Sequence, residues 1–173
     1  MIKMKKLNNK GFSLVELIIV IAIMAILVGV VGSQVIPYLE NSRKAKDIQV
    51  LSSWNTSAMS AYSGAAAIID PTLDYYLRIT DGATDGTGVN VGTTTNPTTT
   101  PTGACQSIKN AFMELSGFNV AAFKFGSTGG SFESKAGKDI DWVEVWIKHE
   151  GGMQMTIHNA TSAKYNFDVI YSK

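Results

Sequence analysis

Lys10-Gly11-Phe12-Ser13-Leu14-Val15-Glu16-Leu17-Ile18-Ile19-Val20 decides how this chain is built, and the apolar character it begins runs on to Gly32. Between Phe12 and Gly32 only Ser13 and Glu16 are polar, and from Leu17 onward every residue is apolar or glycine. A helix rising about 1.5 Å per residue over that stretch covers roughly 30 Å, the thickness of the hydrocarbon core of a bilayer. Ahead of it, residues 1–11 hold four lysines (Lys3, Lys5, Lys6 and Lys10) and no acid. Lysines on one side of an apolar span place that side in the cytoplasm. Three readings compete for the segment. A secretory signal needs a small-residue cleavage site after its apolar core, for which Gly29 to Ser33 is a weak candidate. A plain anchor explains the length but not the acid. A carboxylate inside an apolar span costs a few kcal/mol on insertion scales, which gives Glu16 a functional reading, softened by its place near the cytoplasmic end.

Those residues resemble the class III signal of type IV pilins and the related pseudopilins. The resemblance covers about the first 35 residues. It implies that Gly11 is the leader-cleavage residue, that Phe12 becomes the N-methylated terminus, and that Glu16 is the assembly residue. It implies three partners supplied in trans: a membrane-embedded prepilin peptidase, a cytoplasmic assembly ATPase and an inner-membrane platform. Cleavage at Gly11 removes the lysines and creates a cation at Phe12. Both that cation and Glu16 are poorly solvated near a membrane, so each favours an opposite charge. The family's arrangement pairs Glu16 of an incoming subunit with the terminal amine of one already in the fibre. The chain is expected to be a single-pass membrane protein with a cytoplasmic N-terminus, and then a subunit of an extracellular homopolymer. Many members have glycine at the position of Ala25 and proline at that of Ser33. Here Gly29, Gly32 and Pro37 move the weak stretch along, and Pro37 cannot donate to the carbonyl of Ser33.

Composition sets limits on the rest. At 173 residues there is room for one domain and one long additional element. The net charge is +1, but without the four leader lysines eleven basic side chains face fourteen acidic ones. That is not a nucleic-acid-binding footprint. Cys105 is the only cysteine, so no intramolecular disulfide and no cysteine-based zinc site can form within one chain. Many Gram-negative pilins close a C-terminal loop by a disulfide; its absence points towards a Gram-positive or anaerobic source, and the resemblance is to a major-pilin-like subunit.

The expected organisation is a leader (1–11), a hydrophobic transmembrane and assembly helix (12–37), an amphipathic helix (38–69), a loop (70–104), and a short helix with an antiparallel sheet (105–173). Ile48, Leu51, Ala58, Tyr62 and Ala65 recur at helical spacings, and Asp70-Pro71 supplies a stop. A helix from Phe12 to Ile69 would measure roughly 85 Å. Arg43 and Lys44 read as a solvated face, with lipid headgroups as the alternative partner. Residues 80–104 carry ten threonines and five glycines with Pro97 and Pro101, and no period survives there, so they read as an exposed loop. Gly86-Thr87-Gly88 with Gly92 lacks the spacing of a phosphate loop. Asp81 and Asp85 fix no calcium coordination set. Ser107–Leu115 suits a short helix. Val120–Phe125, Trp142–Lys148, Met153–His158 and Tyr165–Tyr171 suit strands, with Gly151-Gly152 as a two-residue hairpin turn. The fold class is therefore α+β, a long N-terminal helix packed on a small antiparallel sheet. Trp142, Trp146, Phe167 and Tyr171 read as core or groove packing.

No catalytic constellation stands out. His149 and His158 flank a hairpin without an orienting acid, so the chain reads as a non-enzyme with no cofactor and no metal. The alternatives to a pilus subunit are a pseudopilin of a type II secretion or DNA-uptake system, and a membrane-anchored extracellular binding protein.

Overall fold

The computed structural model describes residues 11–81, 88–95, 97, 101–119, 122–126, 130–160, 167 and 171–172. The leader lysines, Asp85 and most of Tyr165–Tyr171 lie outside the described residues. The chain forms two compact units, Met1–Leu39 and Glu40–Lys173.

Helix α1 runs from Leu14 to Gly64 and passes through Pro37 without interruption. Proline removes one donor and crowds one carbonyl, a cost of about 3 kcal/mol in a helix interior, yet the helix continues on both sides of it. In the first unit α1 is exposed all round: Leu14, Leu27, Val28 and Ile36 are each more than half exposed. In the second unit one stripe of α1 is buried, at Asp47, Leu51, Trp54, Ala58 and Ala61. The steps of four, three, four and three keep these residues on one face. The spacing predicts Leu51 and Ala58 on this stripe and both lie on it; Ala65 is buried just past the helix end, whereas Ile48 is partly exposed and Tyr62 only borders the core.

The helix ends at Gly64 rather than reaching Ile69; a turn follows, in which the Ile68 and Ile69 amides both donate to the Ala65 carbonyl. Strands β1 (Tyr75–Ile79), β2 (Val89–Gly92), β3 (Ile140–Ile147), β4 (Met153–Asn159) and β5 (Tyr171–Ser172) form one antiparallel sheet in the order β2-β1-β3-β4-β5. Helix α2 (Gly103–Ser116) packs against β2, and a single turn, α3 (Lys135–Lys138), precedes β3. Gly117 closes α2 in the left-handed conformation at φ 62°, which glycine adopts without a Cβ penalty. Tyr75, Leu77 and Ile79 of β1 and Val143, Val145 and Ile147 of β3 face the α1 stripe together with Ile108 and Phe112 of α2. This is the expected α+β layout.

Three expectations are corrected. The segment 70–104 is not a loop: it contributes β1 and β2, and all four residues of β2 are buried. These strands are only five and four residues long, too short to impose a period on the threonine-rich chain around them. Of the expected strand Val120–Phe125, Val120 and Ala121 lie outside the described residues and the remaining four form no strand. Their rings instead gather round Trp54, whose centroid lies 5.3 Å from Phe118, 5.0 Å from Phe123, 6.3 Å from Phe125 and 5.9 Å from Phe132. Edge-to-face contacts of this kind satisfy aromatic rings without strand pairing. The β3–β4 connection is longer than a two-residue turn. Ile147 pairs with Met153, leaving Lys148–Gly152 as the loop, with Gly151 and Gly152 at φ 87° and 103°.

Candidate functional site

Glu16 sits in the first turn of α1, and its Oε2 accepts the backbone N–H of Ser13 at 2.8 Å. The Ser13 carbonyl accepts the Leu17 N–H at 3.2 Å, which makes Ser13 the residue before the first helical turn. The arrangement is one half of a capping box: an acid three residues into the helix returns to satisfy a donor that the helix leaves orphaned. It also sets a carboxylate at the positive end of the helix dipole. This contact was missed in the sequence, although Ser13-Leu14-Val15-Glu16 is its written signature.

Gly11 and Phe12 precede the helix in irregular backbone, and the Phe12 ring is 89% exposed. The structure therefore brings Glu16 within four residues of the Gly11–Phe12 bond and fixes it against Ser13, one residue from Phe12. Beyond the first turn, α1 is long and apolar enough to cross a membrane, and the apolar part has no burial within the chain. A row of exposed isoleucine, leucine and valine of that length is unfavourable in water at about 25 cal/mol per Å². An exposed apolar surface of that extent marks a membrane or protein interaction segment.

Residues 6–32 match the family described as the prokaryotic N-terminal methylation motif. The matched segment is a class III type of signal, consistent with a type IV pilin-like prepilin. Residues 33–173 lie beyond the matched segment. No curated protein and no solved structure matches the chain. A class III signal implies, in general terms, processing by a prepilin peptidase and a membrane-anchored precursor.

The other residues singled out in the sequence do not converge. His149 and His158 stand at opposite ends of the β3–β4 hairpin, His149 in its loop and His158 paired with Trp142. The His158 ring stacks on Trp142 at 3.3 Å, and burial pushes its pKa down. Trp142 and Trp146 are half-buried on the sheet face opposite the core. There Trp146 stacks on Tyr76, and Arg78 lies over Trp142 while its guanidinium pairs with Glu144 at 3.0 Å. Phe167 is buried. The Cys105 thiol is half-buried and pushed up by that burial, the opposite of what a nucleophilic thiolate needs. Among the described residues no three His, Cys, Asp or Glu side chains cluster as metal ligands.

Asp74 collects three donors: the His149 N–H at 2.8 Å, the His149 Nδ1 at 2.7 Å and the Trp146 Nε1 at 3.0 Å. These bonds lower the Asp74 pKa, and the carboxylate beside His149 raises that of the imidazole above its ordinary 6.5. A raised histidine stabilises the fold fully below about 6.5 and loses that contribution as pH climbs through its folded value. A lowered carboxyl contributes above its ordinary 3.8 and loses that contribution as pH falls through the lowered value. The charged pair is therefore intact between the lowered Asp74 value, below 3.8, and the raised His149 value, above 6.5. Nuclear magnetic resonance titration of His149 is expected to give a midpoint above the ordinary value, falling back in Asp74→Asn. An unchanged midpoint in that variant contradicts the pairing.

Proposed function

We propose that this chain is the structural subunit of a type IV pilus, polymerising through α1 into a surface filament that serves adhesion, twitching motility or aggregation. The supporting observation is the register of Gly11, Phe12 and Glu16 at the head of an apolar helix that its own chain leaves uncovered. Hydrolysis of the Gly11–Phe12 peptide by a prepilin peptidase leaves a carboxylate on Gly11 and an ammonium on Phe12. N-methylation of Phe12 keeps that amine protonatable. Glu16 of one subunit then pairs with the Phe12 ammonium of another, while the apolar side chains exchange lipid for each other. The chain contributes no catalysis in this scheme; the peptidase, the assembly ATPase and the platform proteins supply it. Before assembly the chain is a single-pass membrane protein, and afterwards part of an extracellular filament.

Mass spectrometry of the mature chain tests the reading directly. A terminus at N-methyl-Phe12 is expected, and one near Ser33 overturns the account. Electron microscopy then separates the pilus from its nearest rival: long filaments built of this chain fit a pilus subunit, whereas their absence despite processing at Phe12 fits a pseudopilin.

A further inference from the structure

A cavity of about 320 Å³ in the second unit is lined by Arg43 of α1 and by Gly130, Ser131, Phe132, Glu133 and Lys138. Its walls are fixed by α1 itself. Glu40 accepts the Lys135 N–H, and the buried Asp47 accepts the Glu133 and Ser134 N–H groups at 3.1 and 2.8 Å. One helix face thus holds the 133–138 turn, with Arg43 between the two anchoring acids in sequence. The neighbouring cations are engaged elsewhere. Lys46 pairs with Glu133 at 3.3 Å, which also neutralises the one acid in the lining, and Lys44 lies over the Phe167 ring at 5.5 Å. Arg43 and Lys138 remain as the exposed cations of the cavity, and their side chains make no hydrogen bond or ion pair among the described residues. Two cations stand on a fixed backbone where Glu40 and Asp47 are occupied by the N–H groups of residues 133–135 and Glu133 is paired with Lys46, an arrangement suited to seat an anion.

We propose that this seat takes the phosphate of a lipid headgroup while the chain is stored in the membrane. The choice of a lipid over a soluble anion rests on the proposed transmembrane helix (12–37): Arg43 follows Pro37 by six residues and the last residue of the apolar run, Gly32, by eleven, which is about 16 Å of helix. Cations just beyond a span sit where headgroup phosphates lie. Release of the headgroup accompanies extraction into the filament, so the seat favours the membrane-stored state over the assembled one.

The test uses the full chain in lipid nanodiscs that carry a headgroup spin label, read by amide resonances. Signals from Ser131–Lys138 are expected to lose most of their intensity, with those of Gly151 and Gly152 as the internal reference. Arg43→Gln with Lys138→Gln should return a clear part of that intensity, and Arg43→Lys with Lys138→Arg should keep the loss; an equal loss in both variants overturns the seat. Undiminished wild-type signals with α1 amides protected from exchange overturn the headgroup seat alone. Exchange-exposed α1 amides overturn the membrane span and this proposal with it. The chain in uncharged detergent with inorganic phosphate forms the second arm. Shifts at Lys138 there, without any loss of signal in nanodiscs, assign the seat to a free anion and overturn the lipid proposal.

Discussion

Replacing Glu16 with alanine is expected to abolish filaments while leaving cleavage after Gly11 in place. In the assembly proposed above, the Phe12 ammonium and the Glu16 carboxylate are both removed from water, so deleting one partner would strand the other. Breaking such a pair costs about 3–5 kcal/mol. At 1.4 kcal/mol per factor of ten, that weakens each subunit addition by roughly a hundredfold to several thousandfold. The carboxylate also accepts the Ser13 N–H at 2.8 Å, so alanine loses a cap as well as a charge. Glu16→Gln separates the two: its amide oxygen still accepts from Ser13, but it cannot neutralise an ammonium. Sheared filament mass by electron microscopy and immunoblot, alongside mass spectrometry of the terminus, is the measurement. Filaments restored to wild-type yield by glutamine reduce Glu16 to a helix cap and remove the ion pair from the assembly scheme.

How far the sequence could be read depended on whether burial or local chemistry set the pattern. The N-terminal segment is legible because charge, glycine, aromatic, acid and apolar run stand in consecutive order and need no tertiary contact. Strands β3 and β4 are legible because each has one face on the core and one towards solvent, so Val143, Val145 and Ile147 alternate with Trp142, Glu144 and Trp146. Strand β2 is buried on both faces, and over four residues that leaves no alternation to detect. The aromatic segment misled for the opposite reason. Phe123 and Phe125 have the spacing of a strand, but what they satisfy is the Trp54 ring. Asp47 was invisible as a core residue because its type belongs on the surface. The donors that make its burial tolerable come from residues 133 and 134, more than eighty positions away.

That carboxylate is where the largest loss of head stability is expected. Asp47 is 3% exposed and occupies a core-facing position of α1. Its Oδ1 accepts the Glu133 N–H at 3.1 Å; its Oδ2 accepts the Ser134 N–H at 2.8 Å and the Ser134 hydroxyl. The Ser134 Oγ in turn accepts the Gly137 N–H at 2.9 Å, which caps α3. Asp47→Ala therefore leaves three donors without their acceptor. Each stranded donor costs about 1–3 kcal/mol, and because Glu133 is exposed, water recovers part of that. A net loss of about 3–5 kcal/mol follows, which for a unit of this size lowers Tm by about 10 °C or more. Thermal unfolding of the full chain in detergent, followed by near-ultraviolet circular dichroism, reads it; a change within about 0.5 kcal/mol of wild type rejects the clamp. Gly137 supplies the internal check. A Cβ there would lie 2.5 Å from Asp47 Oδ2 and 2.5 Å from Phe132 Cβ, so Gly137→Ala alone is expected to cost about 1–3 kcal/mol by overpacking. With Asp47 already alanine, one of those two clashes is gone while the Phe132 clash stays. The double variant should then be more stable than the sum of the single losses predicts, because the two residues press on the same space.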